Sequence, residues 1–345
     1  MERLARKFAY YVAVKENPNV DFFSARNRSN GLYIGSRMEG TREFNKEFEP
    51  LINIKDVANA ITGSNELHDL ELSFTDWILS HNYNRIKGLE LYEPDYSEGA
   101  TQAFDSFYFR HRTKRFRCFV GEYFYHIKTW SANNVNWKWL NDINDLQPGD
   151  ALVLSIPFCD TVVQTDNIDY LLERCTQLNI PVLLDLCYYI ISHDLVVNLE
   201  HDSIDTVAFS LSKAWPISTA RIGMRYTRQS TFDGQKLHSS IGYNNNLGAY
   251  IGNQIIKNYA PDWIYTVRAE QYKIICKVLN LKLTNSVNFG IGDHTWNSYS
   301  RKELLKSYKL DYDPALFVNR ICLNKIYQHW DLFRNLIENE LNIKI

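Results

Sequence analysis

The sequence has almost no excess of charge of either sign. Its 345 residues hold 38 lysines and arginines against 40 aspartates and glutamates, a formal net charge of −2. Nucleic acid and anionic membranes both select a cationic surface, so neither is expected as a partner. Long apolar runs are also missing. Nothing resembles a transmembrane span, and the opening MERLARKFAYYVAV is too interrupted by charge for the apolar segment of a secretory signal. The six cysteines (118, 159, 175, 187, 276 and 322) form no C-x-x-C pair. They are expected to be reduced thiols of a cytoplasmic protein, most of them core packing. The nine histidines lack H-E-x-x-H spacing, so no metal site is expected. There is no Walker A sequence, and GIGD at 290–293 lacks the third glycine of a dinucleotide fingerprint.

What is present is a chain able to build a full core, 45% hydrophobic and without internal repeats. The first sixty residues are glycine-bearing, polar and irregular. Helices are expected at 66–80, 100–111 and 167–179, where apolar residues recur at helical spacing. Strands are expected at RFRCFVG, at 151–158, 181–187 and 204–210, and at RIGMRYT (221–227). Strands alternating with helices over about 95–230 indicate an α/β layer with a largely parallel sheet. After that come two long helices, two short strands and a closing helix, which read as a smaller α+β lobe.

The stretch FSLSKAWPISTARIG (209–223) gathers the chemistry. Ser210 to Lys213 end one apolar strand and Asp185 ends another, and in open α/β sheets ligands sit beyond the carboxyl ends of strands. Gly99-Ala100-Thr101 opens a helix, whose free N–H groups and positive dipole end favour a phosphate. Arg221 can add a bidentate charge to the same anion and Ser210 a hydroxyl. A lysine, a carboxylate and a phosphate cradle point to a phosphorylated aldehyde cofactor held as a Schiff base.

These residues resemble the class I/II aminotransferases, fold-type I enzymes that use pyridoxal 5′-phosphate (PLP). The resemblance rests on SEGATQAF, DLCYY and SLSKAWPISTARIG, with support from VNRICL, in an order that spans about residues 65–340. It implies a three-layer α/β domain with a mostly parallel sheet at 61–245, a small α+β domain at 246–345 and an N-terminal arm or small-domain segment at 1–60. Lys213 would be the Schiff-base lysine and proton carrier, and Asp185 the partner of the pyridine nitrogen. Tyr188 would bond the ring's phenolic oxygen. Ser210, Arg221, Gly99, Ala100 and Thr101 would hold the phosphate, with Ser212 as a second hydroxyl. Arg320 falls where the family binds the substrate α-carboxylate. The aromatic stacked on the ring should lie in GEYFYH, at Tyr125 by ungapped counting, with Tyr123 and Phe124 as alternatives.

The pattern is that of a divergent member. Where the family has N-P-x-G, this chain has PFCDT, placing Cys159 or Asp160 at the asparagine beside the phenolic oxygen. The segment DVANAITGS just ahead of NELHDLE holds no tyrosine to reach a partner's phosphate. The resemblance implies a homodimer acting by ping-pong transamination on amino-acid and keto-acid substrates. Another PLP reaction (elimination, decarboxylation or racemisation) or a non-catalytic relative remains open. The basic run RHRTKRFR (110–117) would suit a nucleic-acid backbone, but in a chain so near neutral a solvated loop between helix and strand is the expected reading.

Overall fold

The structure, a computed structural model, describes residues 52–63, 65–215, 217–228, 232–299 and 316–342, together with Leu4, Lys7, Phe8 and Tyr11. Most of the arm expected at 1–60 lies outside the described residues. The strands are β1 (Arg85–Lys87), β2 (Glu93–Ser97), β3 (Arg115–Phe119), β4 (Trp137–Leu140), β5 (Asp150–Ser155), β6 (Val182–Asp185), β7 (Val196–Asn198), β8 (Ile204–Ser210), β9 (Gly223–Thr227), β10 (Phe289–Gly292) and β11 (Asn319–Cys322). The helices are α1 (Ile54–Gly63), α2 (Glu66–Leu79), α3 (Ala100–Arg110), α4 (Phe124–Ala132), α5 (Ile168–Gln177), α6 (Gly234–Ser240), α7 (Asn246–Asn258), α8 (Trp263–Leu279), α9 (Asn324–Gln328) and α10 (Trp330–Leu341).

Seven strands form the central sheet in the order β2-β9-β8-β6-β5-β3-β4. The run from β4 to β8 is parallel throughout, and β9 is antiparallel to both of its neighbours. Every residue of β5, β6 and β9 is buried, which explains the near-continuous apolar runs that mark the inner strands in the sequence. The covering helices carry one apolar stripe each. In α5 the buried residues are Ile168, Leu171, Leu172 and Cys175, the spacing of a single helical face. In α3 they are Ala100, Ala103, Phe104, Phe107 and Tyr108.

Two short sheets complete the fold. β1 pairs with β7 in parallel, and β10 pairs with β11 as the antiparallel ribbon that carries Arg320. Among the described residues no helix is long and apolar enough to cross a membrane.

A buried cation fixes α3 to the sheet. Arg225 of β9 is fully buried and donates to Asp95 of β2, to Asp233 ahead of α6 and to Ser106 of α3. A buried charge persists only when it is paired and hydrogen-bonded in this way, and removing one partner would strand the rest.

Candidate active site

The parallel run brings the carboxyl ends of β5, β6 and β8 to one edge, and the reversed β9 adds its amino end there. Register aligns Ser155 with Asp185 across β5 and β6. It aligns Gly223 with Ser210 on one side and Ser97 on the other. A cavity opens over this edge, lined by Asp185, Tyr188, Ser210, Ser212, Lys213 and Arg221, with Ala100, Thr101 and Cys159 on its rim. The fold therefore brings together most of the residues singled out from the sequence.

One end of the cavity gathers groups of the kind that suit an anion. Arg221 has φ +54°, a left-handed conformation that a non-glycine residue adopts only where its surroundings hold it. The hydroxyl of Tyr96 donates to the Arg221 carbonyl at 3.1 Å, and Asn245 donates to the neighbouring Ala220 carbonyl at 2.8 Å. The guanidinium donates to Thr101 Oγ1 at 3.0 Å and to the Glu98 carbonyl at 3.2 Å, across the first turn of α3. Gly223 is required by a close approach, because a Cβ there would lie 2.6 Å from the Phe209 carbonyl. The Ser210 hydroxyl accepts from the Ser212 amide at 3.2 Å. The Ser212 hydroxyl is buried, lines the cavity and has no protein partner. An orphaned hydroxyl beside a guanidinium and a helix N-terminus fits a phosphate ester.

The other end places one carboxylate opposite one amine. Asp185 is buried, and its Oδ1 accepts the Cys187 amide at 2.9 Å. Burial pushes its carboxyl up; the Cys187 amide and the charge of Lys213 oppose that shift. Lys213 closes the short turn after β8, with its ammonium 5.9 Å from the centre of the Tyr188 ring. Tyr188 packs against Phe289 at a centroid distance of 5.3 Å.

The aromatic wall differs from the ungapped expectation. Tyr123 and Phe104 line the cavity, whereas Tyr125 turns its hydroxyl away to Asp105, donating at 2.8 Å. The cause is local: Tyr123 is the extended N-cap of α4, while Tyr125 already lies in the first helical turn and points along α3. Burial and the Asp105 contact push the Tyr125 hydroxyl up to about 12.

Arg320 of β11 does not itself line the cavity but packs against Cys159 and Tyr188, which do. Its guanidinium donates to the Cys159 carbonyl and lies 3.7 Å from the Cys159 sulfur. It stands 4.8 Å over the Phe289 ring and 6.0 Å from that of Tyr188. Asp160 accepts the Val318 amide at 2.9 Å, so the carboxylate serves the approach to β11 and the cysteine faces the cavity.

The basic run at 110–117 is largely used internally. Arg110 and His111 engage Asp205, and Arg115 and Arg117 engage Asp150. Sequence reasoning missed Ser155, Ser218 and Cys187, which also line the cavity. Ser155 was detectable, because it ends the apolar run ALVLS just as Asp185 and Ser210 end theirs. Ser218 sits in a loop whose path the sequence does not fix.

No family model matches the chain, and no curated protein matches it. Solved structures do. A methionine aminotransferase from Escherichia coli, YbdL, superposes with a TM-score of 0.62 over 86% of this chain and 90% of its own, at 13% identity. A PLP-bound C-S lyase from Staphylococcus hominis gives 0.57 over 82% and 87%, at 10% identity. An L-threonine-O-3-phosphate decarboxylase from Porphyromonas gingivalis gives 0.54 over 86% and 98%, at 13% identity. The α/β architecture with its mostly parallel seven-stranded sheet is therefore the fold of the fold-type I PLP-dependent enzymes.

Proposed function

We propose that this chain is a PLP-dependent enzyme acting on an amino acid, and that its reaction is transamination. The observation that carries the reading is the cavity itself. It holds one amine (Lys213), one buried carboxylate (Asp185) and a phosphate cradle with an orphaned hydroxyl (Ser212), placed together by the sheet edge. Bound PLP would supply an aldehyde that condenses with primary amines and a ring that accepts the electron pair of a broken Cα bond.

The protein's own residues supply the rest. Arg221, Ser210, Ser212 and the amides of Ala100 and Thr101 would hold the phosphate and fix its orientation, whereas the Gly99 amide already donates to the Ser97 carbonyl at 2.7 Å. Asp185 would accept a hydrogen bond from a protonated ring nitrogen and favour its charged form, since a buried carboxylate is stabilised by a cation. Tyr188 and Cys159, which line the cavity, would be available to the ring's oxygen, the thiol as a weak donor. Tyr123 and Phe104 supply the apolar wall. Lys213, on a short and fixed turn, carries a proton to and from the substrate's reacting carbon. Arg320 offers a planar cation to a substrate α-carboxylate once it exchanges the Cys159 carbonyl for that ligand. Domains at 61–245 and 246–345, a homodimer and a cytoplasmic setting belong to the same reading.

Transamination, elimination and decarboxylation all occur among the structures compared above, so the products must separate them. The test begins with the near-visible absorption of protein loaded with PLP, beside Lys213→Ala. A band absent from the free cofactor and from the variant supports the site, whereas no band at saturating PLP overturns it. Given an amino donor alone, a transaminase releases one keto acid per site and no ammonia. Continuous ammonia or carbon dioxide release would replace transamination with a lyase or decarboxylase reaction.

A further inference from the structure

Behind the carboxylate of Asp185 lies a second buried carboxylate that the chemistry above does not use. Glu122 follows β3 in the loop GEYFYH and is only 2% exposed. Its side chain accepts the Ser155 amide at 2.8 Å and the Ser155 hydroxyl at 2.5 Å. Ser155 lines the cavity and is the register partner of Asp185 on the adjacent strand. Register partners point to the same face of a sheet, with strands about 4.8 Å apart. Glu122, Ser155 and Asp185 therefore form a row that ends in the cavity.

We propose that Glu122 is a positioning residue of the cofactor site, acting through Ser155 to fix the direction of a hydroxyl beside Asp185 and to place a second negative charge behind it. The inference rests on the PLP reading. A serine hydroxyl has one proton. When Glu122 is ionised, that proton is committed to the carboxylate, and Ser155 presents only lone pairs to the cavity. When Glu122 is protonated, its own O–H donates to Ser155, and the serine proton turns towards Asp185.

The surroundings favour exchange between the two states. Burial pushes the Glu122 carboxyl up to about 7; the Ser155 contacts and the Tyr123 amide oppose this, and Asp185 adds to it. The titratable groups facing it are Asp185 from β6 and Cys118 from β3, while Lys213 acts on Asp185. Two neighbouring carboxylates favour an extra proton held between them. A cationic ring nitrogen at Asp185 would release it, so cofactor binding and the charge of Glu122 are coupled.

The test is a pH titration of the visible band in PLP-loaded wild type, Glu122→Gln and Ser155→Ala, with the PLP dissociation constant measured for each. The glutamine keeps an acceptor for the Ser155 amide but reverses the hydroxyl and removes the charge. The expected result for Glu122→Gln is a band midpoint lower by about one pH unit, because a nearby negative charge no longer stabilises the protonated cofactor. Ser155→Ala should shift it in the same direction, and the double variant should shift it by less than the sum. A purely structural glutamate would lower the melting temperature and leave the midpoint in place. An unshifted midpoint in both variants, with a normal wild-type band, overturns the inference alone. Absence of a band in the wild type overturns both the inference and the PLP reading.

Discussion

The α-carbon of Gly99 lies directly against the guanidinium of Arg221. A methyl group at 99 would sit 2.3 Å from Nη2 and 2.6 Å from Cζ, and the glycine itself has φ +69°. Helix start and guanidinium are thus fitted closely to one another. Gly99→Ala must push the guanidinium off Thr101 and strain the backbone, at a cost of about 1–3 kcal/mol. The expected outcome is a PLP dissociation constant raised about tenfold or more, with an unchanged far-ultraviolet circular dichroism spectrum. Unaltered affinity would mean that the cradle lies elsewhere.

The two tyrosines of GEYFYH should behave oppositely. Tyr123→Ala removes part of the cavity wall and is expected to weaken PLP binding about tenfold, the scale of one aromatic contact. Tyr125→Phe removes only a hydroxyl bound to Asp105. It should cost about 1 kcal/mol of stability or less and leave the absorption band intact. Equilibrium binding and urea midpoints for the two variants check this, and the reverse ranking would restore Tyr125 to the ring.

Arg320→Lys keeps a cation at β11 but removes the planar fork. The expected result is a KM for the amino donor raised about 10- to 100-fold, with cofactor affinity within about twofold of wild type. A change in PLP affinity with unaltered KM would assign Arg320 to the cofactor instead.

The acid limit of stability should be set in part by His81. Its Nδ1 accepts the backbone amides of Tyr83 and Asn84, at 3.2 and 3.1 Å, so the imidazole must be unprotonated at that nitrogen. Burial, partly offset by Asp262, lowers it from 6.5 to about 4. A base depressed on folding contributes stability that is present above its unfolded value. That stability is lost as pH falls from about 6.5 towards 4, and here it amounts to about 3 kcal/mol. Urea midpoints of the wild type should fall across that window, and His81→Asn, which keeps a short acceptor, should flatten the fall. A parallel decline in the variant would place the acid sensitivity in other groups.

The site was legible where chemistry is tied to a strand end. Asp185, Ser210 and Lys213 each follow an apolar run, and a parallel sheet delivers all such ends to one edge. Gly99 and Arg221 stood out because a helix start and an arginine are both groups that suit an anion, and the structure sets them against one another. Tyr123 was left open beside Tyr125, since the choice depends on where α4 begins. Glu122 was silent: a glutamate after a glycine reads as surface, and only packing against Ser155 makes it buried.

The sequence by itself determined the alternation of strands and helices, the identity of the amine and carboxylate, and the end of the sheet at which they lie. These follow from local periodicity and from residue chemistry, which a linear chain carries in full. The tertiary structure alone decided which aromatic faces the cavity, that Arg320 meets the Cys159 carbonyl, and that a second carboxylate stands behind the first. Those relationships join residues far apart in the chain, such as Arg320 with Cys159 and Glu122 with Ser155. They exist only once packing has set the distance and removed the water between them.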